Sequence, residues 1–384
     1  MHGTGAALAT GAAFAPRVAR AALGDLSGTT LIGVVGPFTG DDAHLGEQIQ
    51  NGAQQACDQA NRIRGAYQGT YALRTFNDQN ELATAIVNAQ FAVDDASVLC
   101  VIGHLSGRET DAALQTYARA NMAVIVPVST YDRLTEQGLG NVLRLTTKDS
   151  IEGQLVARDL LASLKPKVVV AATADGEYGP DVVNGFLREL QANKVDASVD
   201  VLPFDKPNFA RAAAAMTAVK PEAVFLAGTV AQLGPMLGAL HDAGYAGQVL
   251  ASQGFFAPAT IAKYGALADG LVASTSMPPL VVAPSVYRLK TDYEQKYGPL
   301  TPLAAFGYAS AQIAIVASQA TGASDRVAFL RALTRPNVQY QTIVGDLTFN
   351  ATGETQNPNI YFYTVTNGAF RYTHAAHPSG FLIK

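Results

Sequence analysis

Short β-branched runs alternate with amphipathic helical segments almost without a break over residues 30–251, and this alternation restricts the chain to an α/β architecture. Residues 30–35 (TLIGVV) form the first strand-like run. Gly36-Pro37-Phe38-Thr39-Gly40 follows, then a helical segment in which Ile49, Ala53, Ala56, Cys57 and Ala60 recur every three or four residues. The spacing predicts further strands over 71–76, 98–102 and 123–126, with helices over 81–93 and 108–120. Such repetition buries a parallel sheet between two helix layers.

A second series opens at Ile151 with a helix to 164, strands over 167–172, 197–202, 223–227 and 248–251, and helices over 180–191, 209–219 and 231–243. Lys165-Pro166 and Lys220-Pro221 precede strands, where proline ends a helix and biases its predecessor to extended backbone. Two helices over 285–297 and 302–320 and strands around 341–349 and 360–366 complete the pattern. A length of 384 residues suits two domains.

Charged residues make up only 15% of the chain and the formal net charge is −4, with no cluster of five or more Lys and Arg. The basic footprint of a nucleic-acid binder is absent, so DNA and RNA are excluded as partners. Residues 3–15 are small and apolar and lead through Pro16 to Ala19-Arg20-Ala21, an A-x-A-like cleavage site. A signal peptide over residues 1–21 is therefore expected; a flexible Ala-rich tail is the other reading. Arg17 and Arg20 suit a twin-arginine route, although the arginine pair itself is missing. Removing 1–21 lowers Lys+Arg from 27 to 25 against 31 acids, leaving a mildly acidic exported protein of net charge −6. No later stretch offers about 20 uninterrupted apolar residues for a membrane helix. With only Cys57 and Cys100 there is no disulfide scaffold or four-Cys metal site, and two packed thiols are favoured over one disulfide.

Several motifs in fixed order carry a resemblance. They are Gly36 to Gly40 with Leu45-Gly46 and Asn51-Gly52-Ala53; Val101 to Ser106; Val126 to Thr130 with Leu134-Thr135; Arg144 to Asp149 with Glu152-Gly153; Glu177-Tyr178-Gly179; and Phe209 with Lys220 to Phe225. In this order and spacing the chain resembles the type I periplasmic binding proteins of the leucine/isoleucine/valine class. The resemblance implies two doubly wound parallel-sheet lobes joined by three hinge crossovers, near Asp149, residues 274–279 and residues 350–357. Residues 29–148 plus 278–352 would form one lobe and 149–277 plus 353–384 the other. It further implies a monomeric substrate-binding protein of a periplasmic ABC importer that hands a small molecule to a membrane permease, without a cofactor. A ligand-sensing regulator or receptor domain of the same fold is the alternative.

The strand-to-helix turn at Ser106, Gly107 and Arg108 directs main-chain N–H groups and a helix dipole toward the cleft, an anion seat. The resemblance assigns ligand contacts to this turn, to Ser129 and Thr130, and to Leu45, Tyr178, Thr229 and Gln253. Two departures stand out. Gly107 occupies the place of a serine hydroxyl. Gln253 occupies the place of a carboxylate that pairs with a ligand ammonium, and a neutral amide stabilises such a charge poorly. These departures favour an organic acid, aromatic acid or amide over an amino acid, with Arg108 as a bidentate carboxylate seat if it turns inward.

Enzyme readings find little support. His104, Ser106 and Asp111 lack a G-x-S-x-G elbow. His374-x-x-His377 lacks a third metal ligand and reads as a loop. Gly33 to Gly40 has neither the P-loop lysine nor the G-x-G-x-x-G spacing of a nucleotide site.

Overall fold

The structure, a computed structural model, describes residues 28–64, 69–174, 176, 178–203, 205–280, 284–321, 325–356, 358–379 and 382–383. The leader expected at 1–21 and Glu177 lie outside the described residues. Strands β1 (Thr29–Gly36), β2 (Thr70–Asn77), β3 (Val98–Ile102), β4 (Ala123–Val126) and β5 (Val142–Arg144) form a wholly parallel sheet in the order β2-β1-β3-β4-β5. Helices α1 (Ala43–Arg64), α10 (Pro284–Tyr297), α11 (Pro302–Thr321) and α12 (Arg326–Leu333) share an apolar core with one face, while α2 (Leu82–Asp94) and α3 (Gly107–Arg119) share a core with the other. Cover on both faces explains why every residue of β3 and β4 is buried and why these strands read as continuous apolar runs.

The second sheet contains β6 (Val168–Ala174), β7 (Asp196–Leu202), β8 (Ala223–Ala227), β9 (Gln248–Ala251), β10 (Val272–Thr275), β13 (Ile360–Thr366), β14 (Ala369–Ala376) and β15 (Leu382–Ile383), in the order β15-β14-β13-β10-β9-β8-β6-β7. Helices α4 (Asp149–Ser163) and α5 (Pro180–Ala192) pack on one face. The other face packs against α6 (Phe209–Ala218), α7 (Val230–Leu233), α8 (Pro235–Asp242) and α9 (Pro258–Tyr264). Both lobes are thus doubly wound, and the chain passes between the sheets after β5, after β10 and before β13.

Each lobe has one helix pair packed closer than any side chain allows. A Cβ on Gly52 of α1 would lie 1.9 Å from the Ala304 carbonyl oxygen of α11, and one on Gly153 of α4 would lie 1.9 Å from that of Val182 in α5. The partner helices answer with Gly307 and Gly185, so backbone meets backbone on both sides. Helix α11 is long and apolar enough to cross a membrane by composition, yet 14 of its residues are buried in the first lobe's core.

Several expectations are corrected. The second sheet is parallel only from β7 to β10; β13 to β15 add an antiparallel edge. The strand expected over 341–349 is a separate hairpin of β11 (Tyr340–Thr342) and β12 (Gly345–Leu347), because Gly345 takes φ 105° and turns the chain back. The helix expected over 231–243 divides at Gly234-Pro235, since Pro235 has no N–H to continue the ladder. Lys165 and Lys220 are not extended but left-handed, each at φ 52°: the need to turn the chain out of a finishing helix outweighs the bias from the following proline. His374 lies on β14 rather than in a loop, its Nε2 2.6 Å from Asp159. Cys57 and Cys100 are buried free thiols, and burial pushes Cys57 up to about 12.

Candidate functional site

The first lobe brings two turns to the carboxyl ends of its strands. After β3, His104 is fully buried, with Nδ1 2.6 Å from Asp78 Oδ2 and Nε2 3.2 Å from the Tyr117 hydroxyl. This chain fixes the backbone entering α3. Ser106 is the N-cap residue, but its hydroxyl donates to Asn80 Oδ1 instead of capping the helix. Gly107 is buried and Arg108 exposed on the first helical turn. The anion seat expected here already faces a carboxylate of the chain: Glu109 accepts a hydrogen bond from its own N–H. Burial nevertheless raises the Glu109 pKa, and the nearby charge of Asp78 adds to the effect.

After β4, Ser129 and Thr130 are buried, and neither caps the helical turn at Asp132–Thr135. The Ser129 carbonyl accepts from Thr146 Oγ1 at 3.3 Å. Thr130 instead reaches the start of α4: its carbonyl accepts the Asp149 N–H at 3.0 Å and its hydroxyl donates to the Asp149 carboxylate. Asp149 is only 2% exposed, and its Oδ1 accepts no hydrogen bond.

One turn further along α4, Glu152 is fully buried and joins the ends of the second lobe's strands. Its Oε1 accepts from the Gln253 N–H at 2.8 Å and from Ser274 Oγ at 2.6 Å, and its Oε2 lies 3.5 Å from the Tyr178 hydroxyl. Ser252 Oγ bonds the N–H and carbonyl of Gly228, tying the ends of β8 and β9 together. Burial pushes the Glu152 pKa up to about 7 against the pull of the hydrogen bonds from Ser274, Gln253 and Tyr178. Burial also raises Asp149 well above the carboxylate range, with only Thr130 and distant Arg144 working against it. Tyr178 is raised by burial and then by the charges of both acids.

The structure therefore gathers Thr130, Tyr178 and Gln253 around Asp149 and Glu152. Ser106 is bonded within the first lobe, Leu45 is half-buried on α1, and Thr229 is committed to a capping box with Gln232 at the start of α7. In sequence Glu152 stands in a motif but reads as no site residue, nor do Asp149, Glu109 and Ser274. The available signal was the i, i+3 spacing of Asp149 and Glu152, which puts both on one helix face. Acids in a first helical turn are ordinarily exposed partners of the helix dipole, which masked it.

Two cavities lie elsewhere. One of about 440 Å³ sits where the crossing segments meet, lined in part by Thr147, Ser276, Asn359 and Tyr361, and one of about 460 Å³ lies between α1 and α10.

A sequence profile described as periplasmic binding protein matches residues 29–369. A Leu/Ile/Val-binding protein of Rhizobium johnstonii, BraC3, is 24% identical over 342 residues, covering 86% of this chain and 90% of that protein. Among solved structures, a leucine binding protein, LivK, from Thermotoga maritima superposes with a TM-score of 0.81 at 22% identity, covering 91% of this chain and 99% of that one. A solute binding protein of an ABC transporter from R. palustris in complex with benzoate gives 0.78 at 18% identity, covering 91% and 97%. With the profile spanning most of the chain and both lobes matched in fold, the chain belongs to the periplasmic binding protein family.

Proposed function

We propose that this protein is the solute-binding component of an ABC importer and takes up a small polar guest between its lobes. One observation carries the reading: the first turn of α4 bonds to both lobes, Asp149 to Thr130 of the first and Glu152 to Tyr178, Gln253 and Ser274 of the second. Open parallel sheets bind ligands at the carboxyl ends of their strands. Here two such edges meet at a chain crossing, so one guest can contact both. With lobe boundaries near 148–149, 277–278 and 352–353, that crossing would belong to the hinge. A guest that touches both lobes favours the closed form by its differential affinity for it, and the closed form is what a permease would read. Export on a leader at 1–21, with the twin-arginine route as the one Arg17 and Arg20 suit, and a monomeric state belong to this reading, as does the absence of turnover.

The named ligands of the similar proteins, branched-chain amino acids and benzoate, set the test panel together with amides. At a hundredfold excess over Kd a true guest stabilises the fold by about 2.7 kcal/mol, enough to raise Tm by several degrees. Thermal melting with each compound measures this. A flat Tm across the panel, with no small molecule co-purifying by native mass spectrometry, would overturn the reading.

A further inference from the structure

The three chain crossings meet on one residue. Thr147, on the first, gives its N–H to Ser276 Oγ of the second at 3.1 Å and its hydroxyl to the Asn359 carbonyl of the third at 3.0 Å. The Tyr363 hydroxyl adds a bond to the Met277 carbonyl at 3.4 Å, joining the second crossing to β13. Thr147, Ser276 and Asn359 all line the cavity of about 440 Å³, so the bonds that tie the crossings together also wall that cavity. Its volume falls within the roughly 300–1,000 Å³ of small-molecule sites. Both lobes supply the rest of the lining. Leu145, Phe306, Val344 and Leu347 from the core of the first lobe make an apolar side, and Tyr361 and His377 enter from the second lobe. Charge stays at the margin: Asp346 is exposed and accepts from Gln339 at 2.8 Å, and the half-buried His377 is bonded to Ser379 at 2.6 Å. The sheet orders separate this cavity from the candidate guest site. Thr130, Tyr178 and Gln253 follow β4, β6 and β9, whereas the cavity is built at β5, β10, β13 and β14, and the two sets share no residue.

We infer that this cavity is a second binding site, for a neutral amphipathic small molecule of the alcohol or carboxamide class, and that its occupant opposes closure of the lobes. The lining sets the class. Ser276 is only 9% exposed, and accepting the Thr147 N–H leaves its own O–H to donate to an oxygen of the ligand. The buried polar groups here, Thr147, Ser276 and Thr355, are hydroxyls without charge, so a carboxylate or ammonium would be desolvated with nothing to meet it. The apolar side suits a ring or a branched chain. The effect on the lobes follows from the position of the cavity. A rotation about the crossings that draws the ends of β4 and β6 together spreads the walls on the other side of the crossings, and an occupant that touches both walls resists the spread. By linkage, the occupant and a cleft guest then weaken each other's binding by the same factor. This coupling rests on the reading of the cleft as a solute site; the second site itself does not.

The probe is cyclohexanol, titrated into the protein with its Leu and Val methyl groups labelled for NMR. The methyl signals of Leu145, Val344 and Leu347 should shift saturably and ahead of those elsewhere in the two lobes. Val344→Phe fills the cavity and should abolish this binding, and Ser276→Ala should weaken it about 5-fold, the loss of one hydrogen bond. The wild-type titration stands even if neither variant folds. Calorimetry reads the coupling: with cyclohexanol saturating, whichever compound of the melting panel binds the cleft should bind at least about 5-fold more weakly, and that compound should weaken cyclohexanol by an equal factor. Methyl shifts that are absent, or scattered over the surface, overturn the second site. Guest affinity that cyclohexanol leaves unchanged or tightens overturns the coupling. Should no compound of the panel bind, the solute reading fails on its own and the methyl titration still decides the cavity.

Discussion

Glu354→Ala is expected to cost the folded protein about 3 to 5 kcal/mol, because it leaves a guanidinium buried without its counter-charge. Arg144 is fully buried; it donates to Glu354, to Thr135 Oγ1 at 2.8 Å and to the Tyr131 carbonyl at 2.6 Å, while its Nε is buried without a partner. Glu354 also accepts from Thr135. The turn carrying it is held against β5: the Arg144 N–H donates to the Gly353 carbonyl at 2.9 Å, and Gly353 sits at φ 82° with no space for a Cβ, which would lie 1.7 Å from the Val142 carbonyl. The third crossing segment therefore covers the outer edge of the first sheet, an edge that would otherwise offer unpaired backbone groups. Urea denaturation measures the loss. Arg144→Met combined with Glu354→Leu should recover most of it, since a buried pair replaced as a unit by apolar groups leaves no orphaned charge. A loss below about 1 kcal/mol for Glu354→Ala would mean that the pair carries no weight in the fold.

The second large effect runs in the opposite direction. Glu152→Gln should stabilise the guest-free protein by about 3 kcal/mol at pH 8 and leave it unchanged below pH 4. The carboxyl has a pKa of about 7 folded against 4.5 for the ordinary value. Between those values the folded chain holds a proton that the unfolded chain has released, so wild-type stability falls as pH rises through this window and stays lowered above it. Each pH unit of the difference is worth about 1.4 kcal/mol. Glutamine keeps an acceptor for the Gln253 N–H and the Ser274 hydroxyl, so the hydrogen bonds survive while the buried charge does not. Melting curves for both proteins at pH 4, 6 and 8 would show the gap opening with pH. Parallel curves would place the Glu152 pKa near its ordinary value.

Most of the fold was legible because its signals are local. Strands 98–102, 123–126 and 223–227 are legible to the residue, since each is a short apolar run buried on both faces and bounded by turn residues; strand 248–251 is equally legible although its first two residues are only half-buried. The short strands β5 and β10, of three and four residues, left too little pattern to read. Strand β14 (AFRYTHAA) is buried only at Ala375 and Ala376, which leaves no apolar alternation to read, and its pairing with β13 is tertiary. The site was half legible. Thr130, Tyr178 and Gln253 stand in motifs and do converge, but the residues they converge upon are two helix-start acids that become unusual only once buried. Sequence shows that Asp149 and Glu152 share a face; it cannot show that the face is turned into the seam between two sheets.

Beneath these expectations lies one physical claim, that a guest draws the two lobes together. Small-angle X-ray scattering on the free and the saturated protein, with binding verified by calorimetry on the same samples, tests it most directly. Lobes that close on a guest give a smaller radius of gyration and a shorter maximum dimension in the saturated sample. Superimposable scattering curves from a sample proven to be saturated would contradict it.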